Sequence, residues 1–139
     1  MGKELNVTIV NELSEIERVQ TQLEQFGLTH NLDPGFIYKI NLAIDELITN
    51  TISYGFADDK KHYINIIVTL VEKKLMATIE DDGKYFNPLE VPTPELDQSI
   101  EERKIGGLGI YLTRQFTDEL SYKRENRKNV ISFTKEIIH

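Results

Sequence analysis

A helical pattern of apolar residues dominates the first half of the chain. Between positions 36 and 48, apolar side chains recur at steps of three and four residues, which places them on one side of an α-helix. These residues include Ile37, Ile40, Ile44, Leu47 and Ile48. Asp33 is a suitable N-cap, Pro34 suits the first turn, and Gly55 follows the last residue of the pattern. The pattern predicts one long, partly buried helix over residues 33–55.

Two shorter patterns precede this helix. Leu5, Val7 and Ile9 alternate with polar residues, which is typical of a strand with one buried face. From about residue 11 to residue 26 the apolar positions again have helical spacing, and we expect Gly27 to end that helix. The beginning of the chain therefore predicts a strand followed by a helix.

Two hairpins and one further helix account for most of the remaining chain. Residues 62–72 and 75–81 read as strands around a turn at Lys73 and Lys74, and residues 119–125 and 130–138 read as a second pair. A glycine-rich segment at 106–109 opens a third helix between the two hairpins. The order β-α-α-β-β-α-β-β predicts an α+β fold, a two-layer α/β sandwich in which helices cover one face of a mostly antiparallel sheet.

Length and charge limit the classes of protein that the chain can represent. Its 139 residues suit a single domain with a real core, over residues 1–139. The net charge of −7 argues against nucleic acid as a direct partner. The chain has no cysteine, which excludes disulfides and thiolate metal sites. No apolar run approaches the ~20 residues that span a bilayer, so we expect a soluble, cytoplasmic protein without membrane contact.

The first candidate motif lies on the long helix. Glu46 and Asn50 are one turn apart at the edge of its buried side, where a carboxylate and an amide are unfavourable unless something pairs with them. Taken alone, the pair is better explained as part of a solvated helix edge, and only the two later motifs favour a functional role.

The second candidate motif ends a predicted strand. Asp81 has the same parity as Ile79 and should face the helix-covered side of the sheet, where a buried carboxylate can accept a hydrogen bond from the exocyclic amine of adenine. Gly83 lets the backbone approach a ligand closely. Taken alone, this stretch is better explained as an ordinary Asp-Asp-Gly turn after a strand.

The third candidate motif is the sequence GGLG at residues 106–109. Glycines where a helix begins leave backbone N–H groups free at the positive end of the helix dipole, which favours anions. Arg103 and Lys104 precede the motif and can add charge for a polyphosphate. A flexible loop with a glycine helix start is the alternative. Residues 83–105 contain three of the four prolines and a charged cluster, and a loop of that length is typical of a functional lid, here over a nucleotide, or of a disordered segment.

Together the three motifs resemble those of the ATPase superfamily shared by DNA gyrase, mismatch-repair ATPases and sensor histidine kinases. The sequence ELITN at 46–50, with SYG at 53–55, is similar to its N box. The sequence DDG at 81–83 is similar to its first glycine box, and GGLG at 106–109 to its second. The chain length, the form of the first motif and the sequence FNP at 86–88 are most similar to the anti-sigma factor serine kinases, over residues 5–137.

This resemblance implies a fold, an activity and partners. Members of that family have a Bergerat-type fold, bind ATP with Mg²⁺, phosphorylate a serine of an anti-anti-sigma (STAS-type) protein, sequester a sigma factor and form homodimers. By the same resemblance Glu46 is the catalytic base, Asn50 the magnesium ligand and Asp81 the adenine acceptor. The phosphate cradle comprises Gly106, Gly107, Leu108 and Gly109. The nucleotide pocket further includes Gly83, Tyr85, Phe86, Arg103, Lys104 and Thr134.

Two positions depart from the family pattern. Where relatives carry a second glycine in the first glycine box, this chain has Lys84 and Tyr85, and the tyrosine either narrows the pocket or stacks on the base. Where many relatives carry a Gly-Thr turn before the last strand, this chain has the sequence NRKN at 126–129, and Thr134 is the substitute for the missing adenine contact.

Three functions remain open at this point. The first is a serine kinase that acts as an anti-sigma factor. The second is a nucleotide-dependent switch that sequesters a regulatory partner without transfer, and the third is a protein-binding fold without nucleotide. Intact Glu46, Asn50 and Asp81 argue against the third. The chain has no phosphoacceptor-histidine helix, and its three histidines are expected to be surface residues: His30, His62 and His139.

Overall fold

Five antiparallel strands form a sheet in the part of the chain that the structure describes. The computed structural model describes residues 3–90 and 107–137. The strands are β1 (Glu4–Val10), β2 (Tyr63–Val71), β3 (Lys74–Asp81), β4 (Glu119–Glu125) and β5 (Lys128–Glu136). They are arranged in the order β1-β2-β3-β5-β4, and every neighbouring pair is antiparallel. The last strand of the chain therefore lies inside the sheet, next to β3.

Three helices complete the described part of the chain. They are α1 (Ile16–Thr29), α2 (Pro34–Tyr54) and α3 (Gly107–Phe116). The carboxylate of Asp33 accepts a hydrogen bond of 3.0 Å from the backbone N–H of Phe36, and Gly55 caps the other end of α2. The predicted bounds of the long helix are thus confirmed. None of the described helices has the length and apolar character that crossing a membrane requires.

The hydrophobic core lies between the helices and one face of the sheet. Alternate residues of β2 and β3, such as Ile66 and Ile79, are fully buried under the helices, whereas their neighbours Asn65 and Glu80 lie on the other face. Helix α2 packs against both α1 and α3. The predicted α+β sandwich, with helices on one face of an antiparallel sheet, is confirmed.

The end of α1 differs from the prediction. Gly27 does not end the helix: it lies inside α1, where a Cβ would come within 2.7 Å of Cγ1 of Ile37. The glycine therefore lets α1 and α2 approach closely. Asn31, with a φ of 56°, follows the helix, and Leu32 donates a 2.9 Å backbone hydrogen bond to Gly27. This arrangement is a Schellman cap, with asparagine in the left-handed position.

The first hairpin turns one residue earlier than predicted. Val71 pairs with Lys74, so the two turn residues are Glu72 and Lys73. Glu72 takes a φ of 56°, the conformation that a two-residue hairpin turn requires. The second hairpin turns at Asn126 and Arg127, which both have positive φ.

Candidate functional site

The first motif forms a hydrogen-bonded pair on α2. Asn50 is 2% exposed, and its Nδ2 donates to the backbone oxygen of Glu46 at 2.7 Å and to Glu46 Oε1 at 3.2 Å. The other amide atom, Oδ1 of Asn50, is buried and has no hydrogen-bond partner within residues 3–90 and 107–137. A buried carbonyl oxygen of this kind is unfavourable unless a donor or a cation reaches it.

The side chain of Glu46 lies against the first turn of α3. A Cβ built on Gly109 would be 1.9 Å from Cδ and 2.0 Å from Oε1 of Glu46, so only a glycine fits there while the carboxylate keeps its position. Burial raises the pKa of Glu46, the hydrogen bond from Asn50 lowers it, and the charge of Asp45 raises it. A carboxylate with a raised pKa binds a proton more readily than one in water, which suits a general base.

Asp81 ends β3 on the helix-covered face, as the parity of the strand predicts. It is 5% exposed, and its Oδ1 accepts hydrogen bonds from the N–H of Gly83 at 2.9 Å and from Nδ2 of Asn129 at 3.0 Å. Burial raises the pKa of Asp81, and these two hydrogen bonds lower it. Within the described residues Oδ2 accepts no hydrogen bond, so one oxygen of this buried carboxylate is left for another donor.

Asn129 holds Asp81 in position, a role that the sequence did not reveal. It is 4% exposed and lies directly opposite Asp81 in the β3–β5 pair. Its Nδ2 also donates to the backbone oxygen of Lys84 at 2.8 Å. Its Oδ1 accepts hydrogen bonds from Tyr122, Arg124 and the backbone of Phe86. The register of the two strands is the signal that identifies Asn129, and it became available only with the fold.

The first glycine box is attached to the end of α2. Lys84 donates a 3.0 Å backbone hydrogen bond to the oxygen of Gly55, and a Cβ on Gly83 would lie 2.3 Å from the same oxygen. Gly83 is therefore required for the close approach of two backbone segments within the protein. This contact joins the loop of Asp81 to the helix that carries Glu46 and Asn50.

Tyr85 and Phe86 occupy different surroundings. The ring of Tyr85 is 53% exposed, its hydroxyl donates to Oε1 of Glu90 at 2.6 Å, and it packs edge-on against Tyr122 at 5.7 Å. Phe86 is half-buried, with its ring centroid 6.2 Å from that of Tyr54 on α2. The structure thus brings Phe86 next to the end of α2 and places Tyr85 further out, beside β4.

Thr134 does not belong to the candidate site. It pairs with Met76 near the opposite end of β3, whereas Asp81 pairs with Asn129. At about 3.3 Å per residue this separates Thr134 from Asp81 by roughly 16 Å along the sheet. Its side chain also lies on the face opposite to Asn129, because the two residues are five positions apart on one strand, an odd number. The expectation that Thr134 replaces an adenine contact is wrong for this reason.

The second glycine box is described only in part. Gly107, Leu108 and Gly109 form the beginning of α3. The predicted contacts from Arg103, Lys104 and Gly106 lie outside the described residues, as does the predicted lid beyond residue 90. These assignments remain predictions.

His62, expected to be an ordinary surface residue, connects two aspartates beside the site. Its Nε2 is 2.7 Å from Oδ1 of Asp58, and its Nδ1 is 3.0 Å from Oδ1 of Asp82. The ring also stacks on Phe56 at 4.6 Å. The hydrogen bond to Asp58 raises the pKa of His62, and the bond to Asp82 raises it further. The imidazole thereby ties the loop after α2 to the residue that follows Asp81.

Comparison with known proteins matches most of the chain to one family and to several curated proteins. Residues 9–135 match the histidine kinase-like ATPase domain. Serine/threonine-protein kinase BtrW of Bordetella bronchiseptica is 26% identical over 112 residues, which are 81% of this chain and 79% of that protein. An anti-sigma F factor of Clostridium perfringens is 28% identical over 109 residues, 76% of this chain and 78% of that protein.

A solved structure has the same fold. The RsbU and RsbW domains of a Mycobacterium tuberculosis protein match 96% of this chain with a TM-score of 0.70 and 18% sequence identity. The present chain spans 32% of that longer chain. At this identity the match concerns the fold alone.

Proposed function

The chain belongs to the histidine kinase-like ATPase domain family, and on this premise we propose that it is an ATP-dependent protein serine kinase that acts as an anti-sigma factor. The relatives named above as a serine/threonine-protein kinase and an anti-sigma F factor support this proposal. The single observation that carries it furthest is the buried Oδ1 of Asn50 next to Glu46, which has no hydrogen-bond partner among the residues that the structure describes.

Asp81 is proposed to recognise adenine. Its Oδ1 already accepts two hydrogen bonds, whereas Oδ2 accepts none within the described residues and can take one from the exocyclic amine. The raised pKa of Asp81 reflects burial, and a buried acceptor contributes most when its donor is also removed from water. Asn129 keeps the carboxylate oriented toward that donor.

Asn50 is proposed to reach the magnesium ion that accompanies the nucleotide. Mg²⁺ prefers oxygen ligands, keeps several waters and is commonly shared with substrate phosphates, so one neutral amide oxygen suits it. The described residues contain no cluster of three or more histidine or acidic side chains arranged to hold a metal by themselves. When bound, the ion neutralises phosphate charge; Asn50 supplies one fixed oxygen, and Nδ2 of the same amide holds Glu46.

Glu46 is proposed to be the base. It takes the proton of the serine hydroxyl while that oxygen bonds to the γ-phosphorus and the bond from this phosphorus to the departing ADP oxygen breaks. Its raised pKa favours proton acceptance, and its contact with Gly109 places it where the free N–H groups of α3 begin. The phosphate cradle at 106–109 and the lid at 83–105 are part of the same proposal.

The proposed role of Glu46 as the base is tested by a substitution, with its neighbour on the same helix as the control. Glu46→Gln keeps size and hydrogen bonding but removes proton acceptance, so transfer of labelled phosphate to an anti-anti-sigma partner should fall by ~10²-fold or more. Nucleotide affinity measured by calorimetry should stay unchanged, because the proton moves only in the transition state. Asp45→Asn is the control on the same helix: Asp45 pairs with Gln20 and Thr49, and because its charge is the smallest of the three influences on the pKa of Glu46, transfer should fall far less than in Glu46→Gln.

The variants also separate a kinase from a binding switch. Asn50→Ala should lose magnesium-dependent affinity and transfer together. If wild type never phosphorylates a partner while ATP still changes its affinity for that partner, the switch is correct and the kinase is wrong. Equal transfer by wild type and Glu46→Gln would remove the base assignment.

The proposal extends to partners and assembly. A sigma factor and a STAS-type anti-anti-sigma protein are the proposed partners, supported by the names of relatives, and a homodimer is the proposed assembly on the family resemblance alone. Sedimentation at tens of micromolar, a rough working concentration, should show a dimer; a monomer there would contradict this part.

A further inference from the structure

A cleft of about 460 Å³ leads between α2 and α3 to the side chain of Glu46. Helix α2 lines one side and α3 the other, and Gly109 contacts Glu46 at the inner end. The residues that matter for its chemistry are Lys39, Leu42, Ala43, Leu112 and Phe116.

The cleft and the proposed nucleotide residues lie on opposite sides of Glu46 along α2. Lys39 and Leu42 precede Glu46, whereas Asn50 follows it, and Gly55 at the end of the helix contacts the loop of Asp81. At about 1.5 Å per residue, Leu42 lies roughly 6 Å before Glu46, and Gly55 roughly 13 Å after it. A molecule in the cleft therefore reaches Glu46 without entering the space toward Asp81.

The walls of the cleft are apolar and open. Leu42 is 51% exposed and Leu112 is 55% exposed, and they belong to the two helices that face each other across the cleft. Single exposed leucines are ordinary on protein surfaces, but two that line one cleft together with Phe116 form a surface that favours an apolar partner. The charged side chains among the described lining residues are Lys39 at the outer end and Glu46 at the inner end.

We infer that this cleft binds the serine-bearing segment of the protein acceptor, with an apolar side chain between Leu42 and Leu112 and an acidic side chain at Lys39. The inference rests on the proposed kinase function, because a base at Glu46 must meet a hydroxyl, and the cleft is the approach that leaves the Asn50 side to the nucleotide. Lys39 and Glu46 are seven positions apart, or roughly 10 Å on a helix, a length that about three extended residues cover. The acidic residue therefore lies about three positions from the serine, and the apolar residue between them.

A peptide library tests this recognition. The probe is a positional-scanning set of short peptides with one central serine, incubated with the full chain, labelled ATP and Mg²⁺. We expect wild type to prefer pools with an aliphatic or aromatic residue within two positions of the serine and an acidic residue about three positions away, by about 10-fold or more over alanine. The same experiment shows whether the acidic residue precedes or follows the serine.

Two variants with matched controls connect the preference to the cleft. Lys39→Glu should replace the preference for an acidic residue about three positions from the serine by a preference for a basic one. Leu112→Asp should remove the preference for an apolar residue near the serine. Lys74→Glu and Leu13→Asp make the same changes at exposed positions outside the cleft and should leave both preferences as in wild type. Leu13 is 56% exposed, close to the value for Leu112, and Lys39 is exposed, so its variant should fold even if Leu112→Asp does not.

Calorimetry with ATP and Mg²⁺ separates failure of this inference from failure of the proposed function. If wild type binds nucleotide but phosphorylates no pool, or if Lys39→Glu keeps the acidic preference, the cleft is not the acceptor site and nucleotide binding stands. If Leu112→Asp abolishes self-association in sedimentation and leaves the peptide preference intact, a second copy of the chain occupies the cleft and the inference is wrong. If wild type binds no nucleotide, both proposals are wrong.

Discussion

Gly109 of α3 lies so close to Glu46 of α2 that a Cβ on the glycine would be 1.9 Å from Cδ of the glutamate. The two residues are far apart in sequence, and their contact determines where the proposed base sits relative to the first turn of α3. Gly109→Ala should displace the carboxylate or the helix by about 1 Å or more, and a misplacement of that size lowers transfer by ~10²-fold. A phosphorylation assay measures this effect.

Gly35→Ala is the control for this prediction. Gly35 lies in the first turn of α2, and the nearest atom to a Cβ there is Oδ2 of Asp33 at 3.0 Å, the N-cap oxygen, which needs to shift by only a few tenths of an ångström to make room. Transfer by the control should stay near that of wild type. Unchanged transfer by Gly109→Ala would show that Glu46 has another productive position.

Asp81→Asn should weaken adenine nucleotide binding by about 1–3 kcal/mol, because the free acceptor oxygen can become an N–H donor that opposes the exocyclic amine. The variant can still accept the hydrogen bonds from Gly83 and Asn129 through its remaining oxygen, so we expect it to fold. Calorimetry with ATP and Mg²⁺ measures the change. Asp82→Asn, one residue away and exposed, should bind as wild type does. Equal affinity for Asp81→Asn and wild type would remove the adenine assignment.

Asn129→Asp should destabilise the protein. It places a second carboxylate 3.0 Å from Oδ1 of buried Asp81 and removes the donor that Asp81 and the backbone oxygen of Lys84 share. We expect a loss of about 3 kcal/mol in the free energy of unfolding near neutral pH, partly recovered in acid as one carboxyl becomes protonated. Denaturant unfolding measures it, with Asn126→Asp in the exposed turn as control. Equal stability of the two variants would contradict the central position of Asn129.

The pair of aspartates around His62 predicts a pH dependence of stability. Because Asp58 and Asp82 raise the pKa of His62 above its ordinary value of 6.5, the folded state holds this proton more tightly than the unfolded state does. The contribution to stability is complete below the unfolded pKa and is lost as the pH rises through the folded pKa. Asp58, whose pKa His62 lowers, contributes above its ordinary value of 3.8, and that part is lost as the pH falls through its folded pKa.

Unfolding at two pH values tests this linkage. Between about pH 6 and about pH 8.5, wild type should lose stability relative to His62→Gln, which has no titrating group at this position. The difference between the two proteins, measured by denaturant unfolding, isolates His62 from all other titrating groups. If the stability of the two proteins changed equally with pH, folding would not raise the pKa of His62 and the prediction would be wrong.

Local sequence predicted most elements of this protein and the face on which Asp81 lies, because the causes are local. The 3.6-residue period, the Asp33 cap and Pro34 determine where α2 begins and which side it buries. Strand parity alone placed Asp81 on the helix-covered face. The end of α1 was predicted wrongly because a glycine near the end of a helix usually indicates its end. Gly27 instead makes room for Ile37 inside the helix, and Asn31 caps it.

The sequence by itself thus determined the order of elements, the helix-covered face of the sheet and the spacing of Glu46 and Asn50 on α2. Only the tertiary structure decided that Asn129 holds Asp81, that Gly83 contacts the end of α2 and that Gly109 meets Glu46. It also removed Thr134 from the site, since strand register sets which residues of β5 lie opposite the end of β3. The physical reason is separation in sequence: hydrophobic periodicity and helix capping act within a few residues, whereas strand register brings Asp81 beside Asn129, 48 positions away.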